Sequence, residues 1–149
     1  MSLAHFLDPA SVLLNPEVED KWKLLDSMVE KLVGAQALPE DRLEEALEAV
    51  HSRETSVSTG MEAGIAVPHA ALPGLGGVVA GMALLPEGID FQSMDGQPAR
   101  IVVLLLVPQE EKLVHVATLT EIARRLGDGG FRDRLLACKD GYAVLGVWR

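Results

Sequence analysis

Residues 53–69 read RETSVSTGMEAGIAVPH and contain the most informative pattern in the chain. The apolar run Ile65–Val67 predicts a short strand, and two glycines break the backbone before it. Pro68 follows the run, fixes its own φ and removes a backbone donor, so the chain enters His69 along a stiff path. The stretch therefore predicts a histidine that is presented where a short strand ends.

A histidine in this position has two interpretations. It is an ordinary loop residue, or it is a nucleophile, because a neutral imidazole is reactive near neutral pH. The small residues Ala70 and Ala71 follow His69 and leave space around its ring. We therefore predict that His69 is the reactive group of this chain.

The bulk composition limits the classes of protein to which the chain can belong. Its 149 residues suit a single domain, residues 1–149, with a full hydrophobic core. Apolar residues make up 48% and charged residues 23%, which argues against disorder over most of the length. The net charge of −9 opposes binding to phosphate backbones, and the 4% aromatic content disfavours base stacking. We expect no nucleic acid partner.

Cysteine content and the length of the apolar runs indicate a compartment. Cys138 is the only cysteine, which excludes an intramolecular disulfide and a multi-cysteine zinc site. No apolar run is long enough to cross a bilayer, and the N-terminus lacks a basic segment followed by an apolar block. We expect a cytoplasmic protein that does not insert directly into a membrane.

The apolar periodicity predicts helices and strands in alternation. Helical spacing covers residues 17–34, a segment after Pro39, residues 110–126 and residues 131–138, whereas residues 142–148 fit a strand or a helix. Apolar runs predict strands at residues 10–14, 64–67, 78–85 and 101–107, the last two central and covered on both faces, with a turn or hairpin at 88–97. Strands with helices before and after them indicate a layered α/β domain.

His115 is the second candidate site residue. The pattern places it in the N-terminal part of the helix at 110–126, on the inward side with Leu119. Free N–H groups and the positive end of the dipole at a helix start favour an anion. The alternative is a half-buried structural histidine with one hydrogen bond.

Arg53 and two hydroxyl residues complete the candidate site. Arg53 lies near the end of the second helix, where a cation caps the helix or pairs with phosphoryl oxygens. Ser58 and Thr59 are either hydroxyl donors to such a group or ordinary turn residues.

Other kinds of site find little support in the sequence. No two histidines have i, i+4 spacing, so no metal site is expected. The segment 74–77 precedes a strand rather than a helix and is not a phosphate loop. Cys138 is expected to lie buried and unreactive in a helix, and His51 is expected to complement a helix C-terminus.

These residues resemble a known family. Arg53-Glu54, Ser58–Gly60 and Gly64–His69 are similar to the signature of the fructose/mannitol/nitrogen-type EIIA domains of the bacterial phosphoenolpyruvate-dependent phosphotransferase system. The resemblance extends from about Leu7 to Ala137 and includes further elements in the family's order: Gly88–Phe91, Asp95-Gly96, the strand ending in Pro108, and His115 with Leu119 and Ala123-Arg124.

The resemblance implies a fold, roles and partners. The fold would be a single three-layer α/β/α domain with a mixed β-sheet flanked by helices. His69 would carry the phosphoryl group, His115 would assist it, and Arg53 would shape the site. The donor would be HPr or its nitrogen-branch relative, and sugar-transporting members pass the group to an EIIB component. This chemistry requires no metal or organic cofactor.

Three functions remain open at this stage. The absence of an EIIB or permease segment favours a nitrogen-type regulator that binds target proteins over a sugar-specific EIIA. A binding module that is no longer phosphorylated is the third, because Glu62 and Ala63 depart from the family pattern, as does Ala70, and Glu62 adds a negative charge. A hydrolase is disfavoured because no carboxylate is placed to orient either ring. HPr is expected to dock on residues 70–72 and Met61.

Overall fold

The computed structural model describes residues 3–149. Within them the strands are β1 Leu7–Leu14, β2 Ile65–Ala66, β3 His69–Leu72, β4 Val79–Ile89 and β5 Ala99–Pro108. The helices are α1 Lys21–Gly34, α2 Leu43–Ser56, α3 Val116–Leu126, α4 Gly129–Leu136 and α5 Gly141–Trp148. Short 3₁₀ turns lie at Leu3–His5, Glu40–Arg42 and Gln109–Glu111.

The strands form one mixed sheet in the order β1-β4-β5-β2. β3 also pairs with β5, farther along that strand than β2 does. β1 runs parallel to β4, β4 runs antiparallel to β5, and both β2 and β3 run parallel to β5. Residues 101–107 of β5 are at most 5% exposed, which confirms the prediction of a strand covered on both faces. β2 and β3 share the edge of the sheet beside β5.

Two hydrophobic cores cover the two faces of this sheet. Val102, Leu104 and Leu106 of β5 pack in the core beneath α1 and α2. The alternate residues of the same strand pack in the core beneath α3, α4 and α5. Because successive side chains of a strand point to opposite faces, one apolar strand supplies both cores. The expected three-layer α/β/α arrangement is confirmed.

The helices begin mainly where acidic side chains cap them. Asp20 accepts from the amide of Lys23 at 2.9 Å, so α1 begins at Lys21 rather than at residue 17, and it ends at Gly34 as predicted. Asp140 accepts from the amide of Ala143 at 2.8 Å and starts α5, so the ambiguous tail is a helix. No helix within residues 3–149 is long and apolar enough to span a bilayer.

The predicted helix at 110–126 is wrong over its first six residues. α3 begins at Val116, and the segment before it is a 3₁₀ turn followed by further turns. Leu113 is 87% exposed and Val116 is 54% exposed, so neither lies on the inward side. Both residues keep helical spacing with Leu119, but no core surface lies against them, and spacing alone does not reveal that.

β4 is longer than the predicted strand at 78–85. It continues through Pro86 to Ile89, and its pairing with β5 shifts register between Leu84 and Ile89. The irregularity accommodates a proline that cannot donate to the ladder. Gly88, at φ +80°, lies in the same irregular stretch. The predicted turn therefore reduces to the loop at residues 90–98, which joins two antiparallel strands.

Candidate functional site

His69 is the first residue of β3, at the edge of the sheet, where it pairs with Leu105 of β5. β2 already ends at Ala66, so the expectation that His69 lies beyond the end of a strand is corrected: it begins the next one. Its Nδ1 lies 2.9 Å from the carbonyl oxygen of Val67. Because a carbonyl only accepts, Nδ1 carries the hydrogen, and in the neutral ring Nε2 holds the free lone pair.

A cavity of about 440 Å³ opens beside this ring, between α2, β3 and the start of α3. It brings together His69, His115, Arg53 and Lys112. The remaining described lining residues are uncharged: Ala49, Ser52, Ser56, Ala70, Ala71, Val107, Val116 and Leu119. No carboxylate is found among the described lining residues, although the chain has a net charge of −9. The cavity therefore suits an anion.

Arg53 lies in the last turn of α2 and lines both this cavity and a second one beside it. The second cavity, of about 310 Å³, is also lined by His69, Ser58 and Thr59. Nη1 of Arg53 donates to the carbonyl of Val57 at 2.9 Å. Arg53 therefore caps the end of the helix, and it shares both cavities with His69. Its pairing with phosphoryl oxygens stays a prediction.

His115 is the residue immediately before α3, where the side chain makes no capping hydrogen bond. Its side chain is 12% exposed, and its Nδ1 lies 3.3 Å from Oγ1 of Thr118. The ring of Phe6 meets it edge-on at 6.4 Å between centroids. Nε2 of His115 lies 3.8 Å from a carboxylate oxygen of Glu111. At this distance Glu111 makes no hydrogen bond to the ring, so the expectation that no carboxylate orients either histidine stays a prediction.

The hydroxyls of Ser58 and Thr59 already donate hydrogen bonds within the protein. Oγ of Ser58 donates to the carbonyl of Phe91 at 2.5 Å, and Oγ1 of Thr59 donates to a carboxylate oxygen of Glu54 at 2.6 Å. Each hydroxyl has one hydrogen to donate. Both residues lie in the wall of the second cavity, but their role as donors to a phosphoryl group stays a prediction.

Sequence reasoning missed a buried ion pair behind the site. Nζ of Lys21 lies 3.0 Å from Oε2 of Glu54, and the side chains are 4% and 1% exposed. The signal was available, because Glu54 follows Ala46 and Val50 at four-residue intervals on the buried face of α2. Opposite charges on the inward faces of two neighbouring helices predict a pair. Lys112 and the hydroxyls of Ser52 and Ser56 were also missed, because only the tertiary fold brings them to the cavity.

The other candidates lie outside both cavities. His51 is inside α2, not at its end, and Nε2 contacts Oδ1 of Asp26 at 2.6 Å. Cys138 follows α4 and is half-buried rather than buried; burial, and then the charge of Asp140, raise the pKa of its thiol. Glu62 is exposed and lines neither cavity. Residues 3–149 contain no cluster of three or more histidine, cysteine or acidic side chains that could hold a metal.

The expected docking patch also needs correction. Ala70 is 6% exposed and Leu72 is 1% exposed, because both point into the core beneath α1 and α2. Met61 is 37% exposed and lines the second cavity. Of the expected patch, therefore, Met61 and the half-buried Ala71 remain at the surface.

Comparison with known proteins identifies the family of the chain. The sequence profile of the phosphoenolpyruvate-dependent sugar phosphotransferase system, EIIA 2 family matches residues 5–147. The chain belongs to this family. A nitrogen regulatory protein of Bradyrhizobium diazoefficiens is 33% identical to this EIIA chain over 147 residues, which cover 99% of the chain and 94% of that protein.

Two further proteins are similar to the EIIA chain, one in sequence and one in structure. A fructose-specific EIIABC component of Bacillus subtilis is 28% identical, and the match covers 99% of this chain but 23% of that protein. The crystal structure of the nitrogen regulatory protein IIA-Ntr from Neisseria meningitidis superposes with a TM-score of 0.88 at 23% identity, covering 99% of both chains. The structural likeness confirms the α/β fold, and the family supports a role in phosphoryl transfer.

Proposed function

We propose that this EIIA domain accepts a phosphoryl group on Nε2 of His69 from a phosphohistidine of HPr or of its nitrogen-branch relative. The observation that carries the proposal is the hydrogen bond from Nδ1 of His69 to the Val67 carbonyl. It fixes the tautomer in which Nε2 is the nucleophile, next to a cavity with two cationic side chains, Arg53 and Lys112, among its described lining residues.

The chemistry is a displacement at phosphorus between two rings. Nε2 of His69 attacks, a new N–P bond forms, and the N–P bond of the donor breaks with its electron pair returning to the donor nitrogen. Each ring keeps a hydrogen on its other nitrogen, so no proton has to move. Positioning and charge stabilisation provide most of the catalysis in such transfers. Arg53, Lys112 and His115 are the groups available to stabilise the phosphoryl oxygens.

The proposal favours a cytoplasmic regulator of the nitrogen branch. Its support is the likeness to nitrogen regulatory proteins of Bradyrhizobium diazoefficiens and Pseudomonas aeruginosa, which are 33% and 32% identical to this chain over 147 and 142 residues. The alternative is a sugar-specific EIIA that passes its phosphoryl group to an EIIB component, which the family description also fits. Offering the phosphorylated protein to fructose- and mannitol-type EIIB domains separates the two functions, because only the alternative requires rapid transfer to one of them.

The deciding experiment is phosphorylation with a reconstituted donor chain. The protein is incubated with phosphoenolpyruvate, enzyme I and HPr, and in parallel with the nitrogen-branch enzymes, and its intact mass is measured. We expect the mass of one phosphoryl group on the wild type, none on His69→Ala, and one on His5→Ala, a matched histidine variant outside both cavities. An unmodified wild type with both donor chains would contradict the proposal and support a phosphorylation-independent binding module.

A further inference from the structure

The buried ion pair between Lys21 and Glu54 joins α1 to the last turns of α2. Beyond their 3.0 Å contact, Nζ of Lys21 lies 5.1 Å from the ring centroid of Trp22 and 5.3 Å from that of Phe91. A buried charge without partners is strongly unfavourable, and even a paired one often adds little stability over apolar residues of similar volume. Stability alone therefore does not account for this pair. Its other hydrogen bonds indicate what else it does.

Glu54 accepts two hydrogen bonds from the loop that follows α2. Its Oε2 accepts from the amide of Thr59 at 2.9 Å, and its Oε1 accepts from the hydroxyl of the same residue at 2.6 Å. The loop is held a second time at the carbonyl of Phe91, which accepts from Lys21 at 3.5 Å and from Ser58 at 2.5 Å. Thr59 is therefore fixed by the same carboxylate that neutralises Lys21.

The hydrogen bonds continue from this loop to the reactive ring. The carbonyl of Thr59 accepts from the amide of Val67 at 3.2 Å. The carbonyl of the same Val67 accepts from Nδ1 of His69 at 2.9 Å. A path of hydrogen bonds thus runs from the ion pair through Thr59 and Val67 to His69, and it ends on the nitrogen that sets the tautomer.

We infer that Glu54 is a positioning residue for His69. It anchors Thr59, which holds the Val67 peptide, and the Val67 carbonyl then keeps the hydrogen on Nδ1 and leaves Nε2 free. Lys21 supplies the counter-charge beside the buried carboxylate, which accepts both hydrogen bonds from Thr59 at once. The consequence for activity rests on the proposed phosphorylation of His69, whereas the consequence for the tautomer does not.

The test compares two double variants in which no buried charge is left alone. Lys21→Met with Glu54→Gln keeps an amide oxygen that accepts from Thr59, and Lys21→Met with Glu54→Leu removes the acceptor. The ¹⁵N NMR shifts of the His69 ring report which nitrogen carries the hydrogen, and circular dichroism reports the fold. We expect the Nδ1–H form in the wild type and the Gln variant, and a mixture of tautomers in the Leu variant.

Phosphorylation provides the second readout. We expect the Leu variant to be phosphorylated roughly tenfold or more slowly than the wild type, because the nucleophile is misplaced, and the Gln variant to lie between the two. The control is Arg124→Met with Glu121→Leu, which removes an exposed ion pair of α3 that lines neither cavity and should leave both readouts unchanged. Thr59→Val removes one of the two bonds to Glu54 and should shift the tautomer in the same direction.

The outcomes separate this inference from the proposed function. A folded Leu variant with the wild-type tautomer and rate would overturn the positioning role. If that variant does not fold, an unchanged tautomer in Thr59→Val overturns it. If the wild type takes no phosphoryl group, the proposed function fails, and the NMR comparison still decides whether Glu54 sets the tautomer of His69.

Discussion

The guanidinium of Arg53 both caps α2 and lines the two cavities beside His69. Arg53→Lys keeps a positive charge but loses the planar fork, which is suited to phosphoryl oxygens and to a simultaneous contact with the Val57 carbonyl. We expect phosphoryl uptake to slow by roughly 100-fold, as for removal of one donor from an anion-stabilising site. The measurement is the rate of phosphorylation, with the fold checked by thermal unfolding.

The matched control for this prediction is Arg124→Lys on α3, since Arg124 is 71% exposed and lines neither cavity. It should be phosphorylated at the wild-type rate. Equal rates for Arg53→Lys and the wild type would mean that any cation at this position suffices, and the fork geometry would then have no role.

The carboxylate of Asp95 is hydrogen-bonded to the loop at residues 57–64, between α2 and β2, and we expect this contact to weaken in acid. Its carboxylate accepts from the amides of Gln97 and Ala63, at 3.0 Å each, and these bonds lower its pKa, Gln97 contributing most. Because the folded pKa lies below the unfolded one, the carboxylate stabilises the fold above its ordinary range, about pH 4, and that contribution is lost as the pH falls through the lowered pKa.

We therefore expect Asp95→Ala to unfold at a lower temperature than the wild type at neutral pH, and the difference to shrink in acid. Thermal unfolding measured across the acid range checks this. Asp8→Ala is a suitable comparison, because the exposed carboxylate of Asp8 likewise accepts from the amide two residues later, that of Ala10, but lies in β1. If the difference in unfolding temperature between Asp95→Ala and the wild type stays constant with pH, the charge of the carboxylate is not what holds Ala63.

At the scale of elements, α5 offers a test of how it docks. A Cβ on Gly141 would collide with the backbone of Pro9 in β1, whereas one on Gly146 would meet nothing within 4 Å. Gly146→Ala should raise the free energy of unfolding by about 1 kcal/mol, because alanine is the better helix former. Gly141→Ala should lower it by about 1–3 kcal/mol, the usual penalty of overpacking. Denaturant unfolding of the two variants measures both effects.

The pair of glycine variants is its own control, since both lie on α5 and both gain one methyl group. Equal stabilisation by the two substitutions would contradict the close approach of the helix to β1. It would also weaken the account of Asp140, whose side chain caps α5 so that Gly141 begins against that strand.

Elements with strong periodicity were predictable, and those shaped by tertiary contacts were not. The two central strands and the end of α1 at Gly34 follow from apolar runs and a breaker. The start of α3 was misplaced because Leu113 keeps the right spacing while facing solvent. β3 was missed because the small residues Ala70 and Ala71 carry little strand signal, and pairing with β5 determines their structure.

The candidate site was predictable to the same degree. His69, His115 and Arg53 come together at one cavity, as the resemblance implies. The supporting residues were not predicted from the sequence, since Glu54 lies beside Arg53 in the chain but is turned about 100° around α2 and pairs with the buried Lys21. Which hydroxyls are free was also unpredictable, because the acceptors of Ser58 and Thr59 are fixed only by the folded loop.

At the scale of the whole molecule, the cavities open between the two helical layers, at the edge of the sheet that carries β3. Apolar side chains exposed to solvent surround them, and we define these as the apolar rim: Met61, Leu113, Val114 and Val116. Leu113 and Val114 are 87% and 66% exposed and lie between two cavity-lining residues, Lys112 and His115. An apolar rim around a cationic cavity suits a protein donor that presents an anionic phosphohistidine.

Leu113→Asp with Val114→Asp tests whether the protein donor uses this rim. The substitutions add two negative charges on a fully solvated turn, so the fold should persist, while the value of kcat/KM for the phosphorylated donor should fall about tenfold or more. Once formed, the phosphohistidine should hydrolyse at the wild-type rate, because neither side chain lines a cavity. Tyr142→Asp, on α5 and 77% exposed, is the control and should transfer normally. If kcat/KM falls in both the double variant and Tyr142→Asp, the cause is a general charge effect in a chain of net charge −9. If kcat/KM falls in neither, the docking surface lies elsewhere.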